Sequence, residues 1–322
     1  MKAIYQISAG QLTPFINTFV KIGTPINPLL GAVGLSPSVL ENSSKMIPEY
    51  AAWHMVDIIS QKESIDNLGI FVASVERESC FDELGIEMAK STNLISALRC
   101  LVTQLLKYAN YQNYWLSENT RYIFLCRVGT PGIDVGAWQM EQYVLSYFIS
   151  FIKSYLGASW TPEFICVQAP ESIDKQNAFK DISVNYLMPH GAIAIDKRHF
   201  SRDIDRSIVH PSSHQQQSGK QTLELLTEMI SNRVFEKNAS LDNVASALGI
   251  NRRQLQRTLE TEGTSYREIK SKAMIQLACQ LLRESSLCII DISLELGYQN
   301  PKNFTRAFKA VTGITPSEYR AM

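Results

Sequence analysis

A chain of 322 residues with 45% hydrophobic side chains carries more apolar mass than one small core needs, and its length predicts two domains. Acidic and basic side chains balance at 31 each, which excludes a diffusely basic coat and implies modest non-specific affinity for nucleic acid. Any contact with DNA must therefore come from cations concentrated on one surface.

Residues 1–60 read as a run of short helices. Thr13-Pro14 opens one that should bury Phe15, Ile16, Phe19 and Val20, Ser36-Pro37 opens another, and Pro48 starts a third through Trp53, Val56 and Ile59. Helical spacing of apolar residues resumes at Leu68–Ala73 and from Leu94 to Leu106. The period then changes. Tyr114–Leu116 and Tyr122–Val128 read as strands, Gln139 to Tyr155 as a helix, and Phe164–Val167 and Ala192–Ile195 as further strands. The first domain is therefore expected to be α+β, with a helical front and a small antiparallel sheet.

Aromatic residues are dense between Tyr108 and Phe164, Trp115, Trp138, Tyr143, Phe148 and Trp160 among them. They are read mainly as core, ahead of an apolar effector pocket. Gly129-Thr-Pro-Gly132-Ile-Asp-Val-Gly136 lacks the spacing of a dinucleotide or phosphate loop and reads as a turn. No nucleophile elbow and no paired carboxylates stand out, so no catalytic residue is assigned and an enzyme is not expected. The cysteines at 80, 100, 126, 166, 279 and 288 form no Cys-x-x-Cys pair, and His54, His190 and His199 are scattered. Neither zinc, haem nor any other cofactor is predicted. Cys279 and Cys288 read as core thiols. The opening residues lack the apolar run of a secretory leader, and the segment from Val144 to Ile152 is too short to span a bilayer. The expectation is a cytoplasmic protein with no membrane partner.

Residues 208–221, rich in Ser, His and Gln, read as a flexible linker between a domain at 1–207 and another at 222–322. The second domain begins with a helix through Leu223, Leu226, Met229, Ile230 and Val234. It then contains one pattern twice. Val244, Leu248 and Gly249 precede a helix capped by Asn251, with Gln254 three residues on. Ile292, Leu296 and Gly297 precede a helix capped by Asn300 and opened by Pro301. The copies are offset by 48 residues at Gly249 and Gly297, and by 50 at Gly263 and Gly313.

The second helix of the later copy should bury Phe304, Ala307, Phe308 and Val311 while Lys302, Asn303, Thr305, Arg306 and Lys309 face out. Between the copies, Ser265-Tyr-Arg-Glu268 opens an amphipathic connector through Ile269, Ala273, Leu277 and Leu281. At about 1.5 Å per residue it spans roughly 28 Å, close to the roughly 34 Å between major-groove faces on one side of DNA. Thr315-Pro316-Ser317-Glu318 opens a last helix with a capping box.

A helix, a glycine turn and a helix with a cationic outer face form a helix-turn-helix, whose second helix enters the major groove. The first turns of that helix meet base edges. Arg252, Arg253, Gln256 and Arg257 are the candidates in one copy, and Lys302, Asn303 and Arg306 in the other. Lys309 and Arg267 are assigned to phosphate. The competing reading of each cation alone is a solvated face; the duplication decides for the set.

Leu255-Gln-Arg257, the Gly-Thr-Ser-Tyr start of the connector, Leu296-Gly-Tyr298, Phe304-Thr-Arg-Ala-Phe-Lys309 and Gly313-Ile-Thr-Pro-Ser-Glu-Tyr-Arg320 resemble the DNA-binding domain of AraC/XylS-family transcription regulators. Ser293 departs from that family's usual alanine. The resemblance covers about the last hundred residues. It implies double-stranded promoter DNA and RNA polymerase as partners, activation of transcription ahead of repression, and base contacts at Gln256, Arg257, Lys302, Asn303 and Arg306.

More diffusely, Gly31-Ala-Val-Gly-Leu-Ser36, Leu68-Gly-Ile70 and Leu84-Gly-Ile86 with Leu94-Ile-Ser-Ala-Leu98 are similar to the arabinose-binding-type N-terminal domain of ornithine-utilisation-type regulators. This implies a small-molecule effector or a homodimer at the first domain. An N-terminal enzyme and a partner-docking module remain the alternatives from other classes.

Overall fold

The structure, a computed structural model, describes residues 4–76, 91, 93–105, 107–109, 114–200, 219–235, 240–285 and 287–320. They fall into two compact units, one within residues 4–200 and the other from 219 onward. Leu84-Gly-Ile86, Cys80 and most of the 208–221 segment lie outside the described residues. Residues 219–221 already belong to a helix, so the second unit's first helix starts slightly before the expected linker ends.

The first unit opens with β1 (Gln6–Ser8), α1 (Thr13–Lys21) and α2 (Ile26–Val33), followed by β2 (Met46–Pro48), α3 (Glu49–Lys62), α4 (Leu68–Val75) and α5 (Leu94–Leu105). Strands β1 and β2 pair antiparallel into a two-stranded sheet that the sequence pattern did not predict. The inner face of α1 is Phe15, Thr18 and Phe19. Val20 lies one step further round the helix and is 60% exposed, against expectation.

A five-stranded sheet follows: β3 (Tyr114–Glu118), β4 (Tyr122–Arg127), β5 (Phe164–Cys166), β6 (Ser183–Asn185) and β7 (Gly191–Asp196), in the order β3-β4-β7-β5-β6. It is not wholly antiparallel, because β6 pairs parallel to β5. That strand is three residues long with two exposed ends and offers no apolar alternation to read.

One cross-strand ladder runs Leu116, Leu125, Ile193, Ile165, and all four are buried in the main core beside α6 (Ala137–Leu156). The adjacent ladder, Trp115, Cys126, Ala192, Cys166, points to the other face and forms a small separate cluster with Phe124 and Phe164. Successive strand residues point to opposite faces, so alternation along each strand divides core from outer surface.

Helices α4 and α6 touch backbone to backbone. A Cβ on Gly69 would lie 2.0 Å from the Gln139 carbonyl oxygen, so only glycine permits the approach. The buried Gln139 side chain binds this contact. Its amide donates to Ser60 Oγ and the Asp66 carbonyl at 3.0 and 2.9 Å, and its oxygen accepts from the Gly69 N–H at 3.1 Å. A buried amide with these partners met fixes a single packing of the two helices.

The second unit consists, among the described residues, of α7 (Gly219–Phe235), α8 (Leu241–Ala247), α9 (Arg252–Thr261), α10 (Tyr266–Glu284), α11 (Ile289–Glu295), α12 (Pro301–Thr312) and α13 (Pro316–Arg320). Helix α7 buries Leu226, Met229, Ile230 and Val234 as expected. Along α10 the first half buries Ile269 and Ala273, and the second half buries Ile275, Ala278 and Leu282. Leu277 and Leu281 are only half-buried, so the apolar stripe turns around the helix as it passes from one neighbour to the next.

The second half of α10 shares a core with Ile292, Leu296, Phe304 and Phe308. Helix α13 closes that core: Tyr319 meets Phe308 edge to face at 5.5 Å, and Arg320 Nε donates to the Leu282 carbonyl at 3.4 Å. Val311 is 51% exposed, contrary to the sequence expectation. The burial face of α12 is the narrow stripe of Phe304 and Phe308, one turn apart.

Candidate nucleic-acid interface

Both helix-turn-helix units turn on a glycine with positive φ, Gly249 at 63° and Gly297 at 79°. A β-carbon opposes that backbone, so glycine sets the angle at which the next helix leaves. Each second helix then begins at an asparagine. Asn251 Oδ1 accepts from the Gln254 N–H at 2.9 Å while Gln254 Oε1 accepts from the Asn251 N–H at 3.0 Å, a complete capping box. Asn300 Oδ1 accepts from the Lys302 N–H at 2.9 Å, with Pro301 in the first helical position. Such a cap contributes about 1 kcal/mol.

The two caps align the helices residue by residue. Counting from each asparagine, Arg253 corresponds to Lys302, Gln254 to Asn303, Leu255 to Phe304 and Arg257 to Arg306. Leu255 and Phe304 are both fully buried, which anchors the helices at the same depth. Arg252, Arg253, Gln256, Arg257, Lys302, Asn303, Arg306 and Lys309 are all exposed, as is Arg267 on α10. Lys302, Arg306 and Lys309 follow one another at helical spacing on one face of α12. Sequence-predicted cations of each unit thus lie on one exposed surface of its second helix.

The two faces differ in ways that the duplication hides. Gln254 is spent on its cap, whereas the equivalent Asn303 accepts from Arg306 Nη2 at 2.6 Å. Arg252 reaches back to Asp242 of α8 at 3.4 Å, an exposed pair worth little in water and easily given up. Thr305, the counterpart of Gln256, is half-buried and turns its hydroxyl to the Pro301 carbonyl at 3.1 Å.

The last helix is capped as its sequence predicts: Glu318 Oε2 accepts from the Thr315 N–H at 2.7 Å, and the Glu318 N–H donates to Thr315 Oγ1 at 3.3 Å. The Thr315 backbone N–H and hydroxyl hold the Glu318 carboxyl below its ordinary range. Cys288 is not a core thiol. It is exposed and caps α11, its Sγ accepting from the Asp291 N–H at 3.4 Å.

Among the described residues no cluster of His, Cys, Asp and Glu suits a metal ion, and no helix is long and apolar enough to cross a membrane. Three buried ionisable side chains of the first unit that sequence reasoning missed, Glu49, Arg127 and Glu141, line one cleft. They come from three separate elements and form no spacing that a sequence can display.

Two tandem helix-turn-helix units on one connector helix define a DNA-binding domain of the double helix-turn-helix class. A family model described as a helix-turn-helix domain matches residues 244–322. An HTH-type transcriptional regulator of Mycobacterium tuberculosis is 34% identical over 97 residues, covering 29% of this chain and 28% of that protein. The ornithine utilization regulator of Pseudomonas aeruginosa is 38% identical over 80 residues, covering 25% of this chain and 24% of that protein. The solved structure of transcriptional regulator CdpR from Pseudomonas aeruginosa aligns over 97% of this chain and 98% of that one, at 15% identity and a TM-score of 0.43. The C-terminal region of this chain is a helix-turn-helix domain of the AraC type. The matched stretch spans less than a third of either sequence relative.

Proposed function

We propose that this chain is a cytoplasmic, sequence-specific regulator of transcription, in which residues 222–322 bind two adjacent major-groove segments of promoter DNA. The observation that carries the reading is the pair of recognition helices α9 and α12. They are capped by equivalent asparagines, anchored by equivalent buried residues and joined by one 19-residue connector, and each turns an exposed cationic face outward. Arg252, Arg253, Gln256 and Arg257 read one half-element, and Lys302, Asn303 and Arg306 read the other, with Lys309 on phosphate. Residues 1–207 bind a small effector and support a homodimer. Activation, through contact with RNA polymerase, is the output. No catalytic step is assigned to either domain.

Selection of bound sequences from a random duplex pool by the full-length protein tests this. The expected result is one asymmetric site, with two unlike elements about 10–10.5 base pairs apart. Enrichment of no sequence, or of a single element only, contradicts it.

A further inference from the structure

The Gly129–Gly136 turn forms one wall of a cleft of about 400 Å³ in the first unit, within the range of small-molecule sites. Two indoles, Trp53 and Trp138, supply apolar wall. Three ionisable side chains line the same cleft although almost wholly removed from water: Glu49 at 5% exposure, Arg127 at 7% and Glu141 at 3%. Charges this deep are tolerated only when partnered.

Both carboxylates are partnered. Glu49 Oε1 accepts from Trp53 Nε1 at 2.9 Å and from Thr130 Oγ1 at 2.7 Å. Glu141 accepts from the Gln168 and Ala169 N–H groups, one oxygen to each, at 2.9 and 3.2 Å.

The guanidinium is different. Arg127 Nε is buried with no hydrogen-bond partner, and the nearest carboxylate oxygen, Glu141 Oε1, stands 4.0 Å from Nη1 and already accepts from Gln168. The Arg127 backbone is fixed, because it ends β4 between Tyr114 and Gly191 of the neighbouring strands. Of the five N–H donors of this planar group, the Nε–H is buried without an acceptor and Nη1 has only the carboxylate at 4.0 Å. Helix α6 also begins at this wall, with Gly136 at its N-cap and no side chain capping it.

We propose that this cleft binds a small monocarboxylate, its carboxylate forked onto Arg127 and its apolar body against Trp53 and Trp138. Arginine pairs bidentately with a planar carboxylate, and that bond would supply what the buried guanidinium lacks. A dianion such as a phosphate ester fits worse, since the single guanidinium matches one carboxylate and a second negative charge would stand unmatched among Glu49, Asp134 and Glu141. An amine without a carboxylate would set its cation beside Arg127. The proposal rests on reading residues 1–207 as the effector domain and specifies the chemistry of the effector.

Full-length protein without DNA is titrated with benzoate, phenylacetate, indole-3-acetate and butyrate, and with phenylacetamide, phenethylamine and phenyl phosphate as counterparts. Binding is followed by calorimetry and through the Arg127 Nε–H resonance, assigned by its loss in Arg127→Lys. At least one carboxylate should shift that resonance saturably, bind at least tenfold more tightly than all three counterparts, and lose at least tenfold affinity in Arg127→Met. Should Arg127→Met fail to fold, the wild-type resonance and the acid-against-amide comparison decide alone. No shift with any of the four acids, equal binding of the amide, or undiminished binding by folded Arg127→Met overturns the proposal. A DNA footprint that persists while no acid binds removes this site and leaves the DNA-binding reading standing. Acid binding with no footprint does the reverse.

Discussion

Asn303 Oδ1 accepts a 2.6 Å hydrogen bond from Arg306 Nη2 one helical turn later, on the exposed face of α12. An exposed arginine has many rotamers to lose when it meets a base, and a neighbour that holds its fork beforehand reduces that loss. In the first helix-turn-helix the equivalent residue, Gln254, is tied to the helix cap and leaves Arg257 without this support. Two helices built on one pattern therefore present their shared arginine differently.

Arg306→Ala and Gln256→Ala should each lower specific affinity by about 1–3 kcal/mol and relax preference at one base position. Asn303→Ala should lower affinity less than Arg306→Ala, and the double variant should lose less than the sum, because Asn303 acts partly through Arg306. Quantitative binding to the selected site and to random duplex measures both effects. Equal losses on the two DNAs would show phosphate contacts instead.

Moving the two half-elements apart by five base pairs should remove one unit's contribution to binding. The connector α10 is a single 19-residue helix that shares a core with the second helix-turn-helix through Ile275, Ala278 and Leu282, so it acts as a rigid spacer. Half a helical turn of DNA carries the second element to the opposite face. Footprints on the spaced and unspaced sites check this, and indifference to the insertion would contradict the rigid arrangement.

Ser293 sits in α11 with none of its surface exposed, and its Oγ has no hydrogen-bond partner. Burying an unsatisfied hydroxyl costs about 1–3 kcal/mol. Ser293→Ala should therefore leave DNA binding unchanged and raise stability by about 1 kcal/mol, read as a higher urea midpoint at constant slope. A loss of stability would mean that the hydroxyl finds a partner in solution.

The cysteines should react in order of their surroundings. Cys288 is exposed at the start of α11, whereas burial pushes the Cys126 thiol up to about 12. At pH 8.5, iodoacetamide should modify Cys288 quickly and Cys126 only as the first unit unfolds, as peptide mapping over time would show. The raised thiol also has a stability consequence. Its contribution is intact below the unfolded thiol's value of about 8.5 and is lost as pH rises from there toward the folded value, because only the unfolded chain then ionises. Early labelling of Cys126 in folded protein would refute this arrangement of the sheet's outer face.

Much of the DNA-binding region is local chemistry and can be read from the chain. Glycine at Gly297 sets a positive φ, Asn251 and Asn300 cap the helices they precede, and Phe304 and Phe308 fall one turn apart on the face they bury. Each effect acts within about one helical turn, so residue order alone determined it. The helical front and most strands of the first unit were legible for the same reason. What tertiary structure decided lies between distant positions. Sequence periodicity placed Val311 and Val20 inside, but a helix buries only as wide a stripe as its neighbour covers. The parallel strand β6 has no pattern of its own and exists because β5 offers it an edge. Arg127, Glu49 and Glu141 meet in one cleft only because a strand end, a helix start and a second helix converge there, and no spacing along the chain encodes that convergence.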